Sequence, residues 1–308
     1  MILSVCPNPS IDTYAWLDKI DQGKVNRMSE IKEYPGGKGI HVAIAIAELG
    51  TDSALFGNWG GEMGTWIKIA CLKKGIRISG IALNGNNRKC YTFRSANPKF
   101  NNTELLEPGP EMNAENWVDF KISFEKEISK ANIICLSGSW PKNSPEDAYM
   151  QLIKIAKKQN KKVILDCSGL QLLKALETSF FALHLNESEA FQLCGSLDFE
   201  VLFKKLENKV ELIALSRGKE GLWMWYKGKI FMANVEINSV ISTVGSGDCL
   251  TAGIAWAVDK GLRPEEIAAY GVACGAANCL NEDLGMLQKE DVEKLLPEVI
   301  CKTIGHEL

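Results

Sequence analysis

The chain has 308 residues, of which 46% are hydrophobic and 24% are charged, a composition typical of a globular protein with one large domain or two modest ones. The formal net charge is only −3, which argues against a general nucleic-acid-binding or membrane-surface role but leaves room for a small basic pocket. No run approaches the ~18 consecutive apolar residues of a membrane helix, and no basic segment followed by a long apolar stretch opens the chain.

Ten cysteines are scattered along the chain without a CxxC pair. The segment CGAANC at 274–279 has the wrong spacing for a zinc site and lacks a second pair. Buried free thiols in a reducing compartment explain these cysteines best. We therefore expect a cytoplasmic protein with no nucleic-acid or membrane partner.

Short apolar runs alternate along the chain with longer amphipathic segments. The short runs predict β-strands at 2–6, 53–57, 132–138, 162–169, 180–186 and 210–218. The longer segments predict helices near 38–49, 61–74, 111–130, 145–159, 187–194, 246–260, 264–280 and 289–296. Strands that alternate with helices indicate a mostly parallel sheet covered on both faces, with ligands bound at the carboxyl ends of the strands.

Two segments, about 12–35 and 88–107, interrupt this alternation with short strand-like runs and polar turns. Each lies between a strand and a helix of the main pattern, so the two could pair into a small sheet that acts as a lid over the strand ends. Two unrelated surface hairpins would explain the same pattern. We expect a single domain over residues 1–308, with the lid formed by these two insertions.

Two polar stretches follow the first predicted strand. NPSID places Asp12 just beyond that strand, where a carboxylate can accept hydrogen bonds from vicinal sugar hydroxyls. YPGGKGIHVA places Gly37 and Lys38 before an apolar helix, either as a plain glycine-rich turn with a solvated lysine or as a close approach to a polar ligand. GxxxxGK[ST] is absent, so this is not a Walker A loop, and the absence of GxGxxG argues against a dinucleotide-dependent dehydrogenase.

Two more polar stretches follow predicted strands in the second half of the chain. HLNESEA brings Asn186 and Glu189 to the end of a strand. Glu189 is either a simple helix-start acid or part of a magnesium–phosphate cluster that acts through ordered water. SRGKEG at 216–221 places glycines after the next strand, which suits a nucleotide.

The stretch TVGSGDCLTAG at 243–253 runs from a loop into an apolar helix. Gly245 and Gly247 allow a sharp turn and let a ligand approach the backbone closely. The unpaired amides and the dipole at the start of the helix favour an anion there. Asp248 is either an ordinary helix-start residue or, beside a phosphate, the group that accepts the proton of an attacking hydroxyl.

Taken in this order, the motifs resemble those of the ribokinase-like sugar-kinase family, also called phosphofructokinase B, over nearly the whole chain. Within the family, the chain looks most like the branch of 1-phosphofructokinases and tagatose-6-phosphate kinases. The resemblance rests on NPSID, VNR, PGGKGIHVA, NTELLEPGP, LSGSWP, DCSG, NESE, SRGKEG and TVGSGD. It implies a three-layer α/β/α fold with a mostly parallel central sheet and a small β-sheet lid.

The resemblance also implies roles for single residues. Asp248 would be the catalytic base. The anion hole for the transferred phosphoryl group would be Gly245, Ser246 and Gly247. The residues that face the sugar would be Asp12, Gly37, Lys38, His41 and Ser139. The residues that border ATP would be Asn186, Ser216, Gly218, Gly221 and Asn278, with Glu189 linked to Mg²⁺ through water.

We expect the acceptor to carry a phosphate of its own. A sugar phosphate and ATP together bring several negative charges to a chain of net charge −3, so local cations must hold them. Arg27, Lys38 and Arg88 lie in the two insertions and the glycine turn. By the resemblance, basic residues at matching positions hold the sugar phosphate.

Three sites depart from the family pattern. His41 stands where the family usually has asparagine, and Trp140 replaces a leucine beside the substrate. His184 and Leu185 replace a Lys-Pro pair whose lysine approaches the phosphates of ATP. These departures bear on sugar preference and nucleotide affinity. None touches the base or the anion hole, so we expect the reaction type to survive.

The expected function is therefore that of an ATP- and Mg²⁺-dependent kinase. Its acceptor would be a hydroxymethyl group of a ketohexose phosphate, such as fructose 1-phosphate or tagatose 6-phosphate. A kinase of an unphosphorylated sugar or nucleoside and a catalytically idle sugar-phosphate sensor are the alternatives. A homodimer through the lid is also expected, because an exposed sheet edge invites pairing.

Overall fold

The computed structural model describes residues 1–305. Its strands are β1 (Ile2–Cys6), β2 (Ser10–Trp16), β3 (Glu30–Gly36), β4 (Ser53–Trp59), β5 (Arg77–Ala82), β6 (Arg88–Arg94), β7 (Thr103–Leu106), β8 (Ile133–Ser137), β9 (Lys162–Asp166), β10 (Phe180–Asn186), β11 (Val210–Ser216), β12 (Leu222–Tyr226), β13 (Lys229–Asn234) and β14 (Ile300–Gly305). Its helices are α1 (Lys38–Glu48), α2 (Gly61–Lys73), α3 (Ala114–Ile128), α4 (Ala148–Lys158), α5 (Gly169–Ala175), α6 (Glu187–Cys194), α7 (Phe199–Leu206), α8 (Ser246–Asp259), α9 (Pro264–Cys279) and α10 (Lys289–Leu295).

Ten of these strands form one large sheet in the order β14-β13-β12-β11-β10-β9-β8-β1-β4-β5. The strands from β11 to β5 run parallel to their neighbours, whereas β12, β13 and β14 extend one edge in antiparallel pairs. Every residue of β1, β4 and β8 is buried, which is characteristic of a parallel sheet covered on both faces.

Each face of the large sheet has its own hydrophobic core, because successive residues of a strand point to opposite faces. Ile2 of β1 packs with residues of α1, α8 and α9, whereas its neighbour Leu3 packs with residues of α3 and α4. Helices α1, α2, α8, α9 and α10 cover the first face, and α3 to α7 cover the second. The predicted three-layer α/β/α architecture is confirmed.

The two inserted segments form a separate four-stranded sheet, the small sheet, in the order β3-β2-β6-β7. β2 pairs in parallel with β6, and this pairing joins the two segments, as predicted. Asp12, Cys90 and Leu106 are cross-strand partners and therefore share one face of the small sheet. That face looks onto the carboxyl ends of β1 and β8, because Leu106 lines a cavity there together with Ser137.

Every predicted strand has a counterpart in the large sheet, as β1, β4, β8, β9, β10 and β11. Strand β9 ends at Asp166, so DCSG forms the turn into α5 rather than more strand. The sequence analysis did not predict β5, β12, β13, β14, α5 or α7. Within residues 1–305, no helix combines the length and the apolar character needed to cross a membrane.

Candidate active site

A cavity of about 530 Å³ lies between the small sheet and the carboxyl ends of β1, β8 and β9. Predicted site residues line it from several elements. They are Gly37 and Lys38 at the start of α1, Arg88 at the start of β6, Ser139 after β8, and Glu189 in α6. Ligands of open parallel sheets bind at this end of the strands, so the topology alone would place a site here.

Lys38 and Asp166 form the central ion pair of the site. Lys38 Nζ lies 2.6 Å from Asp166 Oδ1 and 3.7 Å from Glu189 Oε1. Burial lowers the pKa of Lys38, but Asp166, Asp248 and Glu189 outweigh it and hold this pKa well above its usual value. The structure therefore places a permanent positive charge beside the cavity. The side chain of Lys38 is 39% exposed, so this lysine is partly solvated as well as ion-paired.

Asp166 was missed by the sequence analysis, although DCSG forms the end of the strand predicted at 162–169. Its side chain is 1% exposed. Its second oxygen, Oδ2, lies 2.9 Å from His184 Nδ1 and 3.4 Å from Thr251 Oγ1. Burial raises the pKa of Asp166, but Lys38 and His184 outweigh it and hold this pKa below its usual range.

Asp12 and Asp248 both face the imidazole of His41. His41 Nδ1 lies 2.8 Å from Asp248 Oδ2, and Nε2 lies 3.3 Å from Asp12 Oδ2. Asp12 Oδ1 accepts a hydrogen bond of 2.6 Å from Ser10 Oγ, and Oδ2 lies 3.4 Å from the amide of Gly37. The Nε2–Asp12 approach is an ion-pair distance that does not meet hydrogen-bond geometry. Burial raises the pKa of Asp12, but His41, Ser10 and the Gly37 amide hold it below its usual value.

The glycine turn before α8 has the conformation that its sequence requires. Gly245 has φ of 85° and is the N-cap of α8, so Ser246, Gly247 and Asp248 form the first turn of a 14-residue helix. Amides in such a first turn have no partner within their own helix. The amide of Ser246 nevertheless donates to Thr243 O, at 3.2 Å, which leaves the amides of Gly247 and Asp248 as the better candidates to meet an anion.

Asn186 and Glu189 form a reciprocal capping box at the start of α6. Glu189 N donates to Asn186 Oδ1 at 2.9 Å, and Asn186 N donates to Glu189 Oε2 at 3.0 Å. The helix-start role considered for Glu189 is therefore real, and its other oxygen still faces Lys38 in the cavity. Over residues 1–305, no group of three or more His, Cys, Asp or Glu side chains could hold a metal ion.

One of the residues predicted to bind the nucleotide, Ser216, contacts His184. His184 Nε2 lies 3.1 Å from Ser216 Oγ. The His184 ring also packs against Gly247, since a Cβ added to Gly247 would lie only 3.1 Å from the ring. Gly218 and Gly221 have φ of 53° and 83° in the short turn after β11. Asn278 is 1% exposed and donates to Met286 O at 2.8 Å, so it supports the loop that packs against Gly245.

Arg88 is the cation that faces the cavity without a carboxylate partner. Its guanidinium makes only long contacts, at 3.4 to 3.5 Å, with Asn8 O, Glu107 O and Ser139 Oγ. No carboxylate of residues 1–305 lies within ion-pair distance of Arg88, whereas Lys38 has two such partners. Arg27 lies exposed in the loop between β2 and β3 and is not part of the cavity wall that residues 1–305 form.

Three buried polar atoms of residues lining the cavity lack a hydrogen-bond partner among residues 1–305. They are Asn8 Oδ1, Ser137 Oγ and Trp140 Nε1. A buried polar atom without a partner costs free energy, of about 1–3 kcal/mol, that a polar ligand can recover. Sequence reasoning did not assign a role to Asn8, which follows the first predicted strand, or to Ser137, which lies near the end of the strand predicted at 132–138.

The match to a protein-family model decides the family. The model described as pfkB family carbohydrate kinase matches residues 8–289. The chain belongs to the PfkB family. As a PfkB carbohydrate kinase it is a phosphotransferase with an alcohol group as acceptor, and sugar kinases of this family use ATP, as the resemblance implied.

Individual relatives of this PfkB kinase agree with the family. The 1-phosphofructokinase of Bacillus subtilis (strain 168) is 31% identical over 305 residues, 97% of this chain and 98% of that protein. Phosphofructokinase-2 from Escherichia coli in complex with fructose-6-phosphate has a TM-score of 0.87 at 22% identity, and Arabidopsis thaliana ribokinase complexed with ribose and ATP has 0.77 at 20%. Both alignments cover 96% of this chain and 98% of the other, and at these identities they show the fold alone.

Gly245→Ala should impair both folding and turnover of this kinase, because an added Cβ would overlap the Cα of Gly285. Gly261→Ala is the matched control, since Gly261 also has positive φ, 68°, but open space around it. Both variants carry backbone strain of about 1–2 kcal/mol, and overpacking should add about 1–3 kcal/mol at position 245 alone. Thermal unfolding and ADP release measure the two effects. Equal losses in both variants would contradict a specific need for glycine at 245.

Proposed function

We propose that this kinase transfers the γ-phosphoryl group of ATP to a hydroxymethyl group of a ketohexose phosphate, of the fructose 1-phosphate or tagatose 6-phosphate type. The observation that carries the proposal is Arg88, a cation on the cavity wall with no carboxylate partner among residues 1–305. A planar guanidinium matches the oxygens of a phosphate. The relation to a protein named 1-phosphofructokinase, at 31% identity, supports the same substrate class.

Asp248 is the proposed catalytic base. It is mounted in the first turn of α8, and its side chain is 9% exposed. His41 occupies Oδ2, so Oδ1 is the oxygen left to accept the proton of the attacking hydroxyl. The amides of Gly247 and Asp248 and the positive end of α8 then stabilise the negative charge on the transferred phosphoryl group. Positioning and electrostatics supply most of the rate enhancement in such a reaction.

Lys38 and Glu189 are proposed to serve the phosphates of ATP, and for Lys38 this role replaces the sugar contact that the sequence predicted. Mg²⁺ in phosphotransferases is usually bound through one or two carboxylates and the substrate phosphates, and it keeps several waters. Glu189 is a carboxylate on the cavity wall with one oxygen outside the capping box, so it fits such an ion held through water. Bound Mg²⁺ would neutralise part of the phosphate charge. Lys38 lies 3.7 Å from the same carboxylate and adds the fixed positive charge.

Asp248→Asn should reduce kcat by about 10²- to 10⁴-fold, the usual contribution of a general base, with little change in ATP binding. The assay measures ADP release with Mg²⁺ and, in turn, fructose 1-phosphate, tagatose 6-phosphate, fructose 6-phosphate, fructose and ribose. Wild-type activity with one phosphosugar, lost in the variant, would identify the substrate. Near-normal turnover in the variant would remove Asp248 from the base role, and silence of the wild type across the panel would favour a sugar-phosphate sensor.

Arg88→Ala should raise the KM for the phosphosugar roughly 10- to 100-fold, the value of one or two charge-assisted hydrogen bonds, and spare the KM for ATP. Lys89→Ala is the matched control. Residues 88 and 89 point to opposite faces of the small sheet, and Lys89 Nζ pairs with Glu33 at 2.6 Å away from the cavity. An unchanged acceptor KM in Arg88→Ala would refute the phosphate-binding role of Arg88. The alternative acceptor, an unphosphorylated sugar or nucleoside, would be favoured if Arg27 and Lys38 also proved dispensable.

We also propose that two copies of the chain associate through the small sheet. Leu105 and Ile31 are 58% and 52% exposed, and both stand on the face of that sheet opposite Asp12. Another structure of E. coli phosphofructokinase-2 is of its tetrameric inhibited form, so assembly occurs within this fold.

Light scattering should give twice the chain mass of 34.0 kDa for the wild type. Leu105→Lys should be monomeric. Leu173 on α5 is similarly exposed, so Leu173→Lys is the control and should remain dimeric. A monomeric wild type would refute the proposal.

A further inference from the structure

His41 lies buried between the carboxylates of Asp12 and Asp248. The residue is 4% exposed. Its Nδ1 is 2.8 Å from Asp248 Oδ2 and its Nε2 is 3.3 Å from Asp12 Oδ2. One ring therefore joins the carboxylate assigned to sugar hydroxyls with the carboxylate assigned to proton removal. These residues come from β2, α1 and α8, which are far apart in the chain.

Two glycines leave the room that this arrangement needs. A Cβ on Gly36 would overlap the carboxyl group of Asp12, and a Cβ on Gly285 would overlap the ring of His41. Gly285 also has φ of 65°, a conformation that favours glycine. Backbone from β3 and from the loop before α10 thus packs directly on the carboxylate and the imidazole, so both are held in place.

The charges that face His41 favour its doubly protonated form. On the loop that covers the ring, Asp283 accepts a hydrogen bond from Tyr34 and Glu282 lies 4.0 Å from Lys32. Lys38, one turn earlier in α1, is paired with Asp166. The two carboxylates in contact with the ring therefore dominate. Burial lowers the pKa of His41, but Asp12 and Asp248 outweigh it and raise this pKa to about 10.

We propose that His41 is a positioning residue that ties Asp12 to Asp248, so that a hydroxyl held beside Asp12 is presented to the free oxygen of the base. This inference rests on the kinase function proposed above, and it replaces the direct sugar contact that the sequence predicted for His41. In the reaction, the hydroxymethyl oxygen forms a bond to the γ-phosphorus while the bond from that phosphorus to the ADP oxygen breaks. The hydroxyl proton passes to Asp248 Oδ1, and both protons stay on His41.

Two variants separate the two contacts of the ring. Asparagine at 41 can place its amide near the position of Nδ1, toward Asp248, and glutamine can reach the position of Nε2, toward Asp12. His41→Asn should therefore keep most of kcat and raise the acceptor KM. His41→Gln should keep the acceptor KM and lower kcat on the order of 10- to 100-fold, the value of one charge-assisted hydrogen bond.

A pH profile tests the charge of His41 as well as its shape. The wild-type imidazolium lies beside Asp12 and helps to hold the pKa of that carboxylate below its usual value, so a neutral asparagine at 41 lets acid protonate Asp12 at higher pH. The acid limb of kcat/KM should therefore move to higher pH in His41→Asn. If both variants change kcat and KM alike and the acid limb stays in place, His41 merely fills space and the proposal is wrong.

A measurement without turnover separates this inference from the kinase assignment. The chain has three histidines, and the His41 imidazole signals are those missing from the nuclear magnetic resonance spectrum of His41→Asn. In the wild type both ring nitrogens should stay protonated from about pH 5 to pH 9, whereas in Asp248→Asn and Asp12→Asn the ring should titrate within that range. Titration of wild-type His41 near the ordinary value of about 6.5 would overturn the proposal. An inactive wild type with a persistent imidazolium would instead fault the kinase assignment alone.

Discussion

The ion pair between Lys38 and Asp166 is the contact on which the rest of the site depends. Asp166 is 1% exposed, and a carboxylate buried that deeply is stable as an anion only when charged and hydrogen-bonded partners surround it. Those partners come from α1, β10 and α8, through Lys38, His184 and Thr251. Three distant parts of the chain therefore converge on one carboxylate, and this convergence brings the glycine turn of α1 close to the first turn of α8.

The two buried histidines extend this network in opposite directions. His184 links Asp166 to Ser216, which the sequence assigns to the nucleotide, and His41 links Asp248 to Asp12, which the sequence assigns to the sugar. In the family pattern that the sequence resembles, the position of His184 holds a lysine that approaches the phosphates of ATP. Here the side chain at 184 faces Asp166 and Ser216 instead, so the proposed function relies on Lys38 and the start of α8 for positive charge toward the phosphates. The two departures thus redistribute charge around Asp248, the proposed base, and leave its place at the start of α8 unchanged.

The sequence was informative where a charged residue or a glycine turn comes directly after a buried strand or at the start of a helix. Asp12, Lys38, Glu189 and the glycine turn at 245–248 follow predicted strands or open predicted helices, and the structure brings them to one end of the sheet. Asp166 had the same signal, at the end of a predicted strand, and could have been found. The partners of His41 could not, because its contact with Asp248 spans 207 positions and depends on how α1 and α8 pack. Neither local periodicity nor spacing encodes such a contact.

The missed strands have local reasons as well. The β12–β13 hairpin turns at Lys227 and Gly228, which both have positive φ. Asn-Gly is the usual sequence signal of such a turn, and because lysine replaces the asparagine here, the turn was not predicted. Strand β5 is an edge strand that begins with Arg77 and contains Gly80, so it lacks the apolar run of a central strand. Its Gly80 has φ of 130° and packs so close to the Gly57 carbonyl that a side chain would not fit, a constraint visible only in three dimensions.

What distinguishes a ligand-binding cation from a structural one in this site is whether its charge is already neutralised. Lys38 has carboxylates at 2.6 and 3.7 Å, and His41 has them at 2.8 and 3.3 Å, so both charges belong to the folded protein before any substrate arrives. Arg88 meets only carbonyl and hydroxyl oxygens at long distance. An anion that enters the cavity gains most from the guanidinium, because no carboxylate has to be displaced or left unpaired. Under the proposed function, the phosphate of the acceptor would therefore bind on the small-sheet side of the cavity, beside Arg88, and the glycine turn before α8 would receive the phosphoryl group that is transferred.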